Sequence, residues 1–247
     1  MHNFLDVGCG AGIIGISVAT RHPHLKVTLQ DRDALAAEFT AHNAELNGVR
    51  DYRVSADLAF LRLPEQRYNA VVSNIPAKAG EPVLAHMAAL IIAHLGHSDE
   101  STAAVVVVEP LKKKFGKMIR ESGGKIVYRE STKSHTVYHF VRADEEGGER
   151  GDDEARRELV GLTSPTTGEY DHGAPYSLPR VYFRTRVSPK LNGVRYSLDT
   201  VWGLPNFDTP SYQTQLFSQW ALKSSAAEKM IIWNPGQGHI PVFAHTL

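Results

Sequence analysis

The chain has 247 residues, of which 27 are basic, 27 are acidic and 42% are hydrophobic. This length allows one large domain, or one domain and part of a second. The zero net charge excludes a global field that would attract nucleic acid. The single cysteine, Cys9, excludes an internal disulfide and a cysteine-rich zinc site, and it favours a reducing, cytoplasmic location. No apolar run approaches the roughly 20 residues that span a bilayer.

The first predicted element is a short strand that breaks into a glycine-rich turn and then a helix. Residues 2–15 are HNFLDVGCGAGIIG. Gly8, Gly10 and Gly12 let the backbone turn tightly and approach a ligand closely, and Gly15 allows the helix to sit close on its strand. The spacing from Gly10 to Gly15 also satisfies the dinucleotide-binding fingerprint, so a nicotinamide or flavin enzyme is one interpretation.

Asp6 lies near the end of the first strand, two residues before the first glycine. A carboxylate at this point would repel a pyrophosphate, but it suits a ligand with a cationic amino-acid end. The sequence D-V-G-C-G-A-G therefore resembles motif I of the class I S-adenosylmethionine-dependent methyltransferases. The resemblance implies that S-adenosylmethionine is the cofactor, bound by Asp6, Gly8, Gly10 and Gly12, with Asp6 near its methionine end. A glycine turn that binds nothing is the structural alternative.

Strands and helices alternate after the turn, as in a parallel doubly wound sheet. A strand predicted over residues 25–30 has Asp31 at its end, roughly 20 residues after the glycines, where an acid can accept hydrogen bonds from both ribose hydroxyls. An N-cap is the alternative role for Asp31, but Asp33 is better placed to cap the helix predicted over residues 34–46. Asp31 is therefore predicted to bind the ligand.

A third strand is predicted over residues 51–55, and Asp57 follows it. The methyltransferase resemblance places Asp57 near the adenine amino group of the cofactor. A solvated loop acid is the structural alternative, and the residues themselves do not decide between the two.

The next strand starts near Tyr68 and ends in Asn74-Ile75-Pro76-Ala77. Because parallel sheets bind ligands at the carboxyl ends of their strands, this tetrapeptide should lie beside the glycine turn. It resembles the Asn-Pro-Pro-aromatic motif of methyltransferases that modify exocyclic or amide nitrogens. The resemblance implies that Asn74 and a nearby backbone carbonyl accept the two amino hydrogens and orient the nitrogen for transfer. Asn74, Ile75 and Pro76 are therefore the predicted catalytic residues.

The tetrapeptide departs from the family motif at two positions. Ile75 replaces the usual first proline, and Ala77 replaces the aromatic residue that would stack on a flipped base. The structural alternative for Asn74 is a strand-end turn, since Asn-x-Pro is ordinary turn chemistry.

The order of the elements after Tyr68 resembles the ribosomal RNA guanine-N2 methyltransferases and their small-domain relatives. The predicted elements are a helix over 81–95, a buried strand over 103–109, a basic helix over 111–122 and an antiparallel hairpin of 125–128 with 136–141. The predicted fold class is α/β, a doubly wound and mostly parallel sheet with a terminal antiparallel hairpin, plus a partial C-terminal α/β segment. The implied function is methylation of guanine N2 in ribosomal RNA. Methylation of a protein glutamine amide, and a non-catalytic RNA-binding protein, are the alternatives.

The basic helix carries a run of positive charge that could hold RNA phosphates. A solvated helix face is the structural alternative. The run consists of Lys112, Lys113, Lys114, Lys117 and Arg120. The 12 histidines of the chain are scattered without metal-ligand spacing, so we predict no metal site.

Composition divides the chain into three predicted regions. Residues 1–142 form the methyltransferase domain, and residues 143–160 an acidic flexible linker in which acidic residues outnumber basic ones. Residues 161–247 form a partial second domain. Within the last region we predict strands over 181–187, 193–198 and 228–233, and a helix over 209–222.

The C-terminal region contains a second glycine-containing turn, in Asn234-Pro-Gly-Gln-Gly-His239. Pairing Gly236 with Gly10 and Gly238 with Gly12 aligns it with the first turn, but Ile232 then replaces the acid at position 6. We therefore predict a degenerate copy of the first domain that does not bind cofactor. An unrelated appendage is the alternative. The chain also begins almost directly on its first strand, so we expect it to be a truncated reading frame.

Overall fold

A computed structural model of the protein describes residues 2–64, 66–143, 180–205, 208–223, 229–233 and 235–247. These residues divide into two compact units. The N-terminal unit contains the described residues up to 143 except 78–80, and the C-terminal unit contains those three residues and the described residues from 180 onward. Residues 144–160 of the predicted linker lie outside the described residues. Within the described ranges, no helix combines the length and hydrophobicity needed to cross a membrane.

The N-terminal unit is an alternating series of strands and helices. Its strands are β1 (Asn3–Val7), β2 (Lys26–Asp31), β3 (Tyr52–Ala56), β4 (Ala70–Asn74), β5 (Thr102–Val108), β6 (Gly124–Ser131) and β7 (His135–Arg142). Its helices are α1 (Ile13–Arg21), α2 (Ala34–Leu46), α3 (Glu81–His94) and α4 (Lys112–Glu121). Each element lies within a few residues of its predicted position.

The strands of this unit form one sheet in the order β3-β2-β1-β4-β5-β7-β6. All neighbouring pairs are parallel except those of β7, which runs antiparallel to both β5 and β6. The predicted fold class, a doubly wound and mostly parallel sheet with a terminal antiparallel hairpin, is confirmed. The strand order reverses between β1 and β4, and ligands of such sheets bind in the crevice at that reversal, outside the carboxyl ends of the strands.

The central strands β1 and β2 are buried on both faces, whereas burial along β5 alternates with the pleat. Along β5, Ala103, Val105 and Val107 are fully buried and the residues between them are half-buried. On the other face, α1 and α2 cover β1 and β2, where Ile16 packs in one cluster with Leu29. The core therefore fixes the carboxyl ends of β1, β2 and β4 at one edge of the sheet.

Local sequence signals set both ends of α2. The carboxylate of Asp33 accepts a hydrogen bond from the Leu35 N–H at 2.9 Å, which satisfies one of the free donors of the first turn. Gly48, just beyond the helix, has a φ of 68°, a conformation that glycine adopts without steric cost. The predicted cap and the predicted helix end are both confirmed.

The C-terminal unit contains short antiparallel strands and two helices among its described residues. These elements are β8 (Phe183–Val187), β9 (Lys190–Leu191), β10 (Val194–Arg195), β11 (Leu198–Val201), α5 (Tyr212–Ala221) and α6 (His239–Thr246). β8 pairs with β11 and β9 with β10. A small core joins Leu191, Tyr196 and Phe243. The predicted helix over 209–222 is confirmed as α5, whereas the strand predicted over 193–198 is divided between β10 and β11.

The strand predicted over residues 228–233 is wrong for residues 229–233, which lie in no strand. The apolar side chains of this segment stay in solvent, with Ile231 97% and Trp233 93% exposed. An apolar run becomes a strand only where a neighbouring strand pairs with it and a core buries one face, and no described strand pairs with these residues.

The two glycines of the turn that follows this segment have φ values close to those of the matching glycines of the first turn. Gly236 and Gly238 have φ values of 56° and 90°, against 57° for Gly10 and 83° for Gly12. Gly238 precedes α6 as Gly12 precedes α1, and both donate to the carbonyl three residues earlier at 2.9 Å. The turn and the helix start of the first unit therefore recur here, without the strand before them.

Candidate functional site

The glycine turn joins β1 to α1 at the point where the strand order reverses. Gly8, Gly10 and Gly12 have φ values of 76°, 57° and 83°, in the left-handed region that favours glycine. The N–H groups of Gly8 and Cys9 both donate to the carbonyl of Gln30, at 2.7 and 3.1 Å. The turn is thus fastened to the end of β2.

The glycines differ in what a side chain at each position would meet. A Cβ on Gly8 would lie 3.9 Å from the Asn74 carbonyl oxygen, and one on Gly12 would lie 2.6 Å from the side chain of Ile16. A Cβ on Gly10 would have no described atom within 4 Å. Gly8 therefore lies beside the Asn74 strand end, and Gly10 borders open space that a ligand can enter.

Asp6 is buried under the turn, where its Oδ2 accepts a hydrogen bond from the Gly15 N–H at 2.9 Å. Burial raises the pKa of this carboxyl from 3.8 to about 6; the Gly15 bond opposes the increase and the charge of Asp31 adds to it. Asp6 therefore titrates near neutrality, at a place where a positive charge on a ligand would stabilise its ionised form.

Gly15 has the packing role that its position predicts. A Cβ there would lie 2.6 Å from a Leu29 side-chain carbon and 3.2 Å from the Asp6 carboxylate. Any larger residue would push α1 away from the sheet. The prediction that Gly15 allows close contact between helix and strand is confirmed.

Asp31 at the end of β2 is the second carboxylate of the turn. Its Oδ2 accepts from the Gly10 N–H and its Oδ1 from the Asp33 N–H, both at 2.9 Å. A carboxylate has about four lone-pair sites, so each oxygen of Asp31 retains acceptor capacity for ribose hydroxyls. The structure places Asp31 against the turn, and its role as a ligand for the ribose stays a prediction.

Asp57 follows β3 at the same edge of the sheet, and its N–H donates to the carbonyl of Asp31 at 2.9 Å. Its carboxylate forms an ion pair with Arg62 at 3.0 Å. Burial raises the pKa of Asp57, against the opposing charges of Arg62 and Arg53. Asp57 is therefore near the predicted site with its side chain already paired, and its contact with adenine stays a prediction.

Asn74 is the last residue of β4 and is exposed. Among the described residues, its side chain has no hydrogen-bond partner. The next residue, Ile75, is buried and its N–H donates to the Val106 carbonyl at 2.9 Å, which anchors the strand end on β5. Pro76 and Ala77 then leave the sheet as exposed residues. The strand end thus presents an exposed side-chain amide on a residue whose backbone carbonyl lies beside Gly8.

Sequence reasoning missed Gln30, which is fully buried beneath the site. Its Oε1 accepts from the Phe60 N–H at 2.6 Å, and its Nε2 donates to the Leu61 carbonyl at 2.8 Å. Its own carbonyl also holds the glycine turn, so one residue ties the turn to the loop after β3. The sequence signal was a glutamine inside an apolar strand, since a buried amide needs partners.

Two polar residues of α2 were also missed. The Thr40 hydroxyl donates to the Gly10 carbonyl at 2.7 Å, and the Asn43 amide donates to the Ala11 carbonyl at 2.9 Å. Their spacing of three residues places both on one face of the helix, and that face lies against the turn. These two side chains provide hydrogen-bond donors for two backbone carbonyls of the glycine turn.

The lysines of α4 are largely paired with acids. Lys112 and Lys117 contact Glu109 and Glu121 at 3.2 and 3.3 Å, and Lys114 pairs with Glu81. These contacts favour the solvated helix face over a phosphate-binding site at most of this run. In the described part of the chain, no group of three or more His, Cys, Asp or Glu side chains could hold a metal ion.

The polar groups at this edge of the sheet fit the cofactor that the sequence resemblance implies. S-Adenosylmethionine carries a cationic methionine end, ribose hydroxyls and an adenine. The site offers the buried carboxylate of Asp6, the remaining acceptor capacity of Asp31, and open space at Gly10 where a ligand can approach the backbone. The acid of β1, which lies at the turn, would oppose a pyrophosphate, whereas an acid at the end of β2 occurs in both kinds of site.

Relatives of known name match part of the chain. The ribosomal RNA small subunit methyltransferase C of Aeromonas hydrophila is 38% identical over 78 residues, which are 32% of this chain and 22% of that protein. The enzyme of the same name from Photobacterium profundum is 28% identical over 134 residues, 54% of this chain and 39% of that protein. The match thus spans less than half the length of either relative.

Two solved structures are similar to part of the chain. The ribosomal protein L11 methylase of Lactobacillus delbrueckii subsp. bulgaricus has a TM-score of 0.49 and 18% identity, covering 57% of this chain and 70% of that one. A methyltransferase from Pyrococcus furiosus has a TM-score of 0.49 and 17% identity, covering 57% and 75%.

The family model described as "Methyltransferase small domain" matches residues 1–139, more than half of the chain. The match includes the glycine turn, both acids beside it and the Asn74 strand end. It decides between the two interpretations of the glycine spacing, in favour of a methyltransferase with S-adenosylmethionine as its cofactor. The chain belongs to the methyltransferase small domain family.

Proposed function

We propose that this protein methylates an amino nitrogen of RNA, with guanine N2 of ribosomal RNA as its target. The observation that supports this function most directly is the position of Asn74. Its side chain is exposed and has no partner among the described residues, and its backbone lies next to Gly8 of the cofactor turn. An unpaired amide beside a methyl donor suits an acceptor that carries amino hydrogens.

Asn74 acts by positioning. Its side-chain oxygen accepts a hydrogen of the acceptor amino group, so that the nitrogen lone pair points toward the methyl group. Ile75 keeps this strand end fixed through its bond to Val106, and Pro76 lacks an N–H and turns the chain away. Holding the reacting atoms in line supplies much of the rate enhancement of a transfer that needs little other chemistry.

The cofactor, when bound, supplies an electrophilic methyl group on a sulfonium. The protein residues proposed to hold it are Asp6, Gly8, Gly10, Gly12, Asp31 and Asp57. Asp6 provides a negative charge for the cationic end, and Asp31 accepts hydrogen bonds from the ribose. Asp57 faces the adenine, and to do so it shares its carboxylate with Arg62.

The names of the relatives support RNA as the substrate, since both are named as ribosomal RNA methyltransferases. The strand-end motif resembles those that present an exocyclic or an amide nitrogen, so it does not by itself separate RNA from a protein glutamine. Ala77 provides no aromatic ring for a flipped base, so the stacking surface must come from elsewhere in the complex.

The test is methyl transfer from labelled S-adenosylmethionine to ribosomal RNA by the full chain and by Asn74→Ala. We expect the variant to lose about 10²- to 10³-fold in turnover, the range found when one preorganised hydrogen-bonding group is removed. Its affinity for S-adenosylhomocysteine should stay unchanged, since Asn74 holds the acceptor. Asn47→Ala, at the exposed end of α2, is the matched control and should keep wild-type turnover.

Other outcomes separate the alternatives. Wild-type turnover in Asn74→Ala would remove the proposed role of this residue. Labelling of a protein glutamine in place of RNA would establish the amide interpretation. Binding of RNA without cofactor binding or methyl transfer would indicate a non-catalytic RNA-binding protein.

A further inference from the structure

The outer strand of the sheet, β6, carries an open groove of about 590 Å³. The groove is lined by Arg120 from α4 and by residues 124–129. Within the described residues, no strand pairs with β6 on its outer side. We propose that this groove binds a single strand of RNA that flanks the acceptor nucleotide, an inference that rests on the proposed function.

The charge of the groove fits a polyanion. Arg120, Lys125 and Arg129 line it, and basic side chains at such spacing bind phosphates. Of the neighbouring acids, Glu121 pairs with Lys117 at 3.3 Å, whereas Glu130 accepts from the Tyr128 hydroxyl at 2.6 Å and keeps its charge. Three basic side chains beside this one acid leave an excess of positive charge at the groove, although the chain as a whole has no net charge.

Tyr128 gives the groove an aromatic surface. Its ring is 49% exposed, and it is held by the hydroxyl bond to Glu130 and by an edge contact with His139 at 5.2 Å between ring centroids. A fixed, exposed ring among basic side chains is a combination that binds unpaired bases by stacking.

The backbone of β6 argues against an extended peptide as the occupant. The register of β6 with β7 shifts between Ile126 and Tyr128, and Val127, at the bulge, is 55% exposed. A bulge interrupts the regular row of N–H and C=O groups that an added strand would need. The edge therefore offers side-chain contacts and little backbone pairing.

The groove lies within reach of the acceptor site. β7 runs antiparallel to both β5 and β6, so β6 runs parallel to β4, and the pairings of Asn74 with Val106, Val106 with Val137 and Val137 with Glu130 place Glu130 level with Asn74. The groove therefore begins next to that level, at Arg129, and extends toward the amino end of β6. The order β4-β5-β7-β6 separates β4 from β6 by three strand spacings, roughly 14 Å at the usual distance between strands. Nucleotides next to the acceptor on the same strand can span that distance.

The experiment measures binding of a short, fluorescein-labelled single-stranded RNA of mixed sequence to the full chain. We expect Tyr128→Ala to weaken binding at least about five-fold, equivalent to about 1 kcal/mol of stacking, and Tyr128→Phe to retain it. Lys125→Glu should weaken binding and reduce the slope of log affinity against log salt by about one or more. Lys26→Glu, an exposed charge reversal at the start of β2 and outside the groove, is the control and should bind as the wild type does.

Two outcomes would overturn the assignment. One is equal weakening by Lys26→Glu and Lys125→Glu with no effect of Tyr128→Ala, which would mean a diffuse field. The other is binding of polyglutamate in preference to RNA, which would identify an acidic peptide partner. Methyl transfer separates this inference from the proposed function. If the wild type methylates ribosomal RNA and the groove variants keep its KM, only the groove assignment fails; if the wild type binds RNA through the groove but methylates none, only the function fails.

Discussion

Asp6 makes a stability prediction that follows directly from its burial. Its pKa rises from 3.8 to about 6 on folding, so the native state binds a proton more tightly than the unfolded chain does. Between these two values the native protein holds more protons, and its free energy of unfolding falls as pH rises. The shift of about 2 units corresponds to about 3 kcal/mol, fully lost above the folded pKa.

Asp6→Asn removes this titration while keeping an oxygen that can accept the Gly15 N–H. The variant buries amide hydrogens that lack assigned partners, which costs about 1 to 3 kcal/mol at every pH. The absolute stability of the variant is therefore less informative than its pH dependence. Relative to the wild type, Asp6→Asn should gain about 2.5 kcal/mol in free energy of unfolding between about pH 4 and pH 7.5.

The measurement must report on the N-terminal unit. All three tryptophans, Trp202, Trp220 and Trp233, lie in the C-terminal unit, so intrinsic tryptophan fluorescence would follow the other part of the chain. Hydrogen exchange of peptides from β1 and α1, measured during a urea titration, reports on unfolding of the N-terminal unit. A difference between Asp6→Asn and wild type that stays constant over this pH range would refute the reasoning, and Asp99→Asn on an exposed turn controls for removal of a charge alone.

Two further predictions concern ligand binding and the support beneath the site. Affinity for S-adenosylmethionine should be roughly ten-fold lower at about pH 5 than at neutral pH, because only about a tenth of Asp6 is ionised at pH 5. Titration calorimetry at several pH values checks this, and Asp6→Asn should show no such fall. Gln30→Leu leaves the Phe60 N–H and the Leu61 carbonyl without their partner, so it should lower the free energy of unfolding by about 2 to 4 kcal/mol, as measured by urea unfolding. It should also weaken cofactor binding, as measured by calorimetry. Unchanged exchange of residues 57–62 in Gln30→Leu would contradict the support assigned to it.

The sequence was sufficient to predict the N-terminal fold because its signals are local. Gly8, Gly10 and Gly12 predict a turn with positive φ values, which other residues rarely adopt, and all three have positive φ in the structure. Asp33 and Gly48 mark the ends of α2 through contacts that span only a few residues. Such features depend on residues that are close in the sequence, so they can be predicted from a single sequence.

Features that depend on distant partners were missed or wrong. Gln30 joins the turn to a loop some 30 residues away, and no local pattern shows which groups it meets. Lys114 pairs with Glu81 on another helix, so its availability for RNA could not be judged from the lysine run. Residues 229–233 have the composition of a strand, but a strand also requires a partner strand and a core to bury it.

The second glycine turn tests how far a shared backbone shape implies a shared function. Gly238 and Gly12 have nearly equal φ values and both precede a helix. In the C-terminal turn, however, Ile232 stands where the first turn has its acid. The Gln237 side chain, which replaces Ala11, bonds to the N–H and the carbonyl of Val201 at 2.9 Å. The C-terminal turn is therefore held by hydrogen bonds within its own unit.

We accordingly predict one cofactor site per chain, and the proposed degenerate copy contributes none. Calorimetric titration with S-adenosylhomocysteine should give a stoichiometry of one. Gly12→Ala and Gly238→Ala form a matched pair, because each places a Cβ on a residue with strongly positive φ, 83° and 90°. The first should abolish binding, since its Cβ would also lie 2.6 Å from Ile16, whereas the second should destabilise only the C-terminal unit and leave the affinity unchanged. A second site that is lost in Gly238→Ala would contradict this prediction. It would show that the backbone shape of the turn is sufficient for cofactor binding and that the acid of β1, Asp6, is not required.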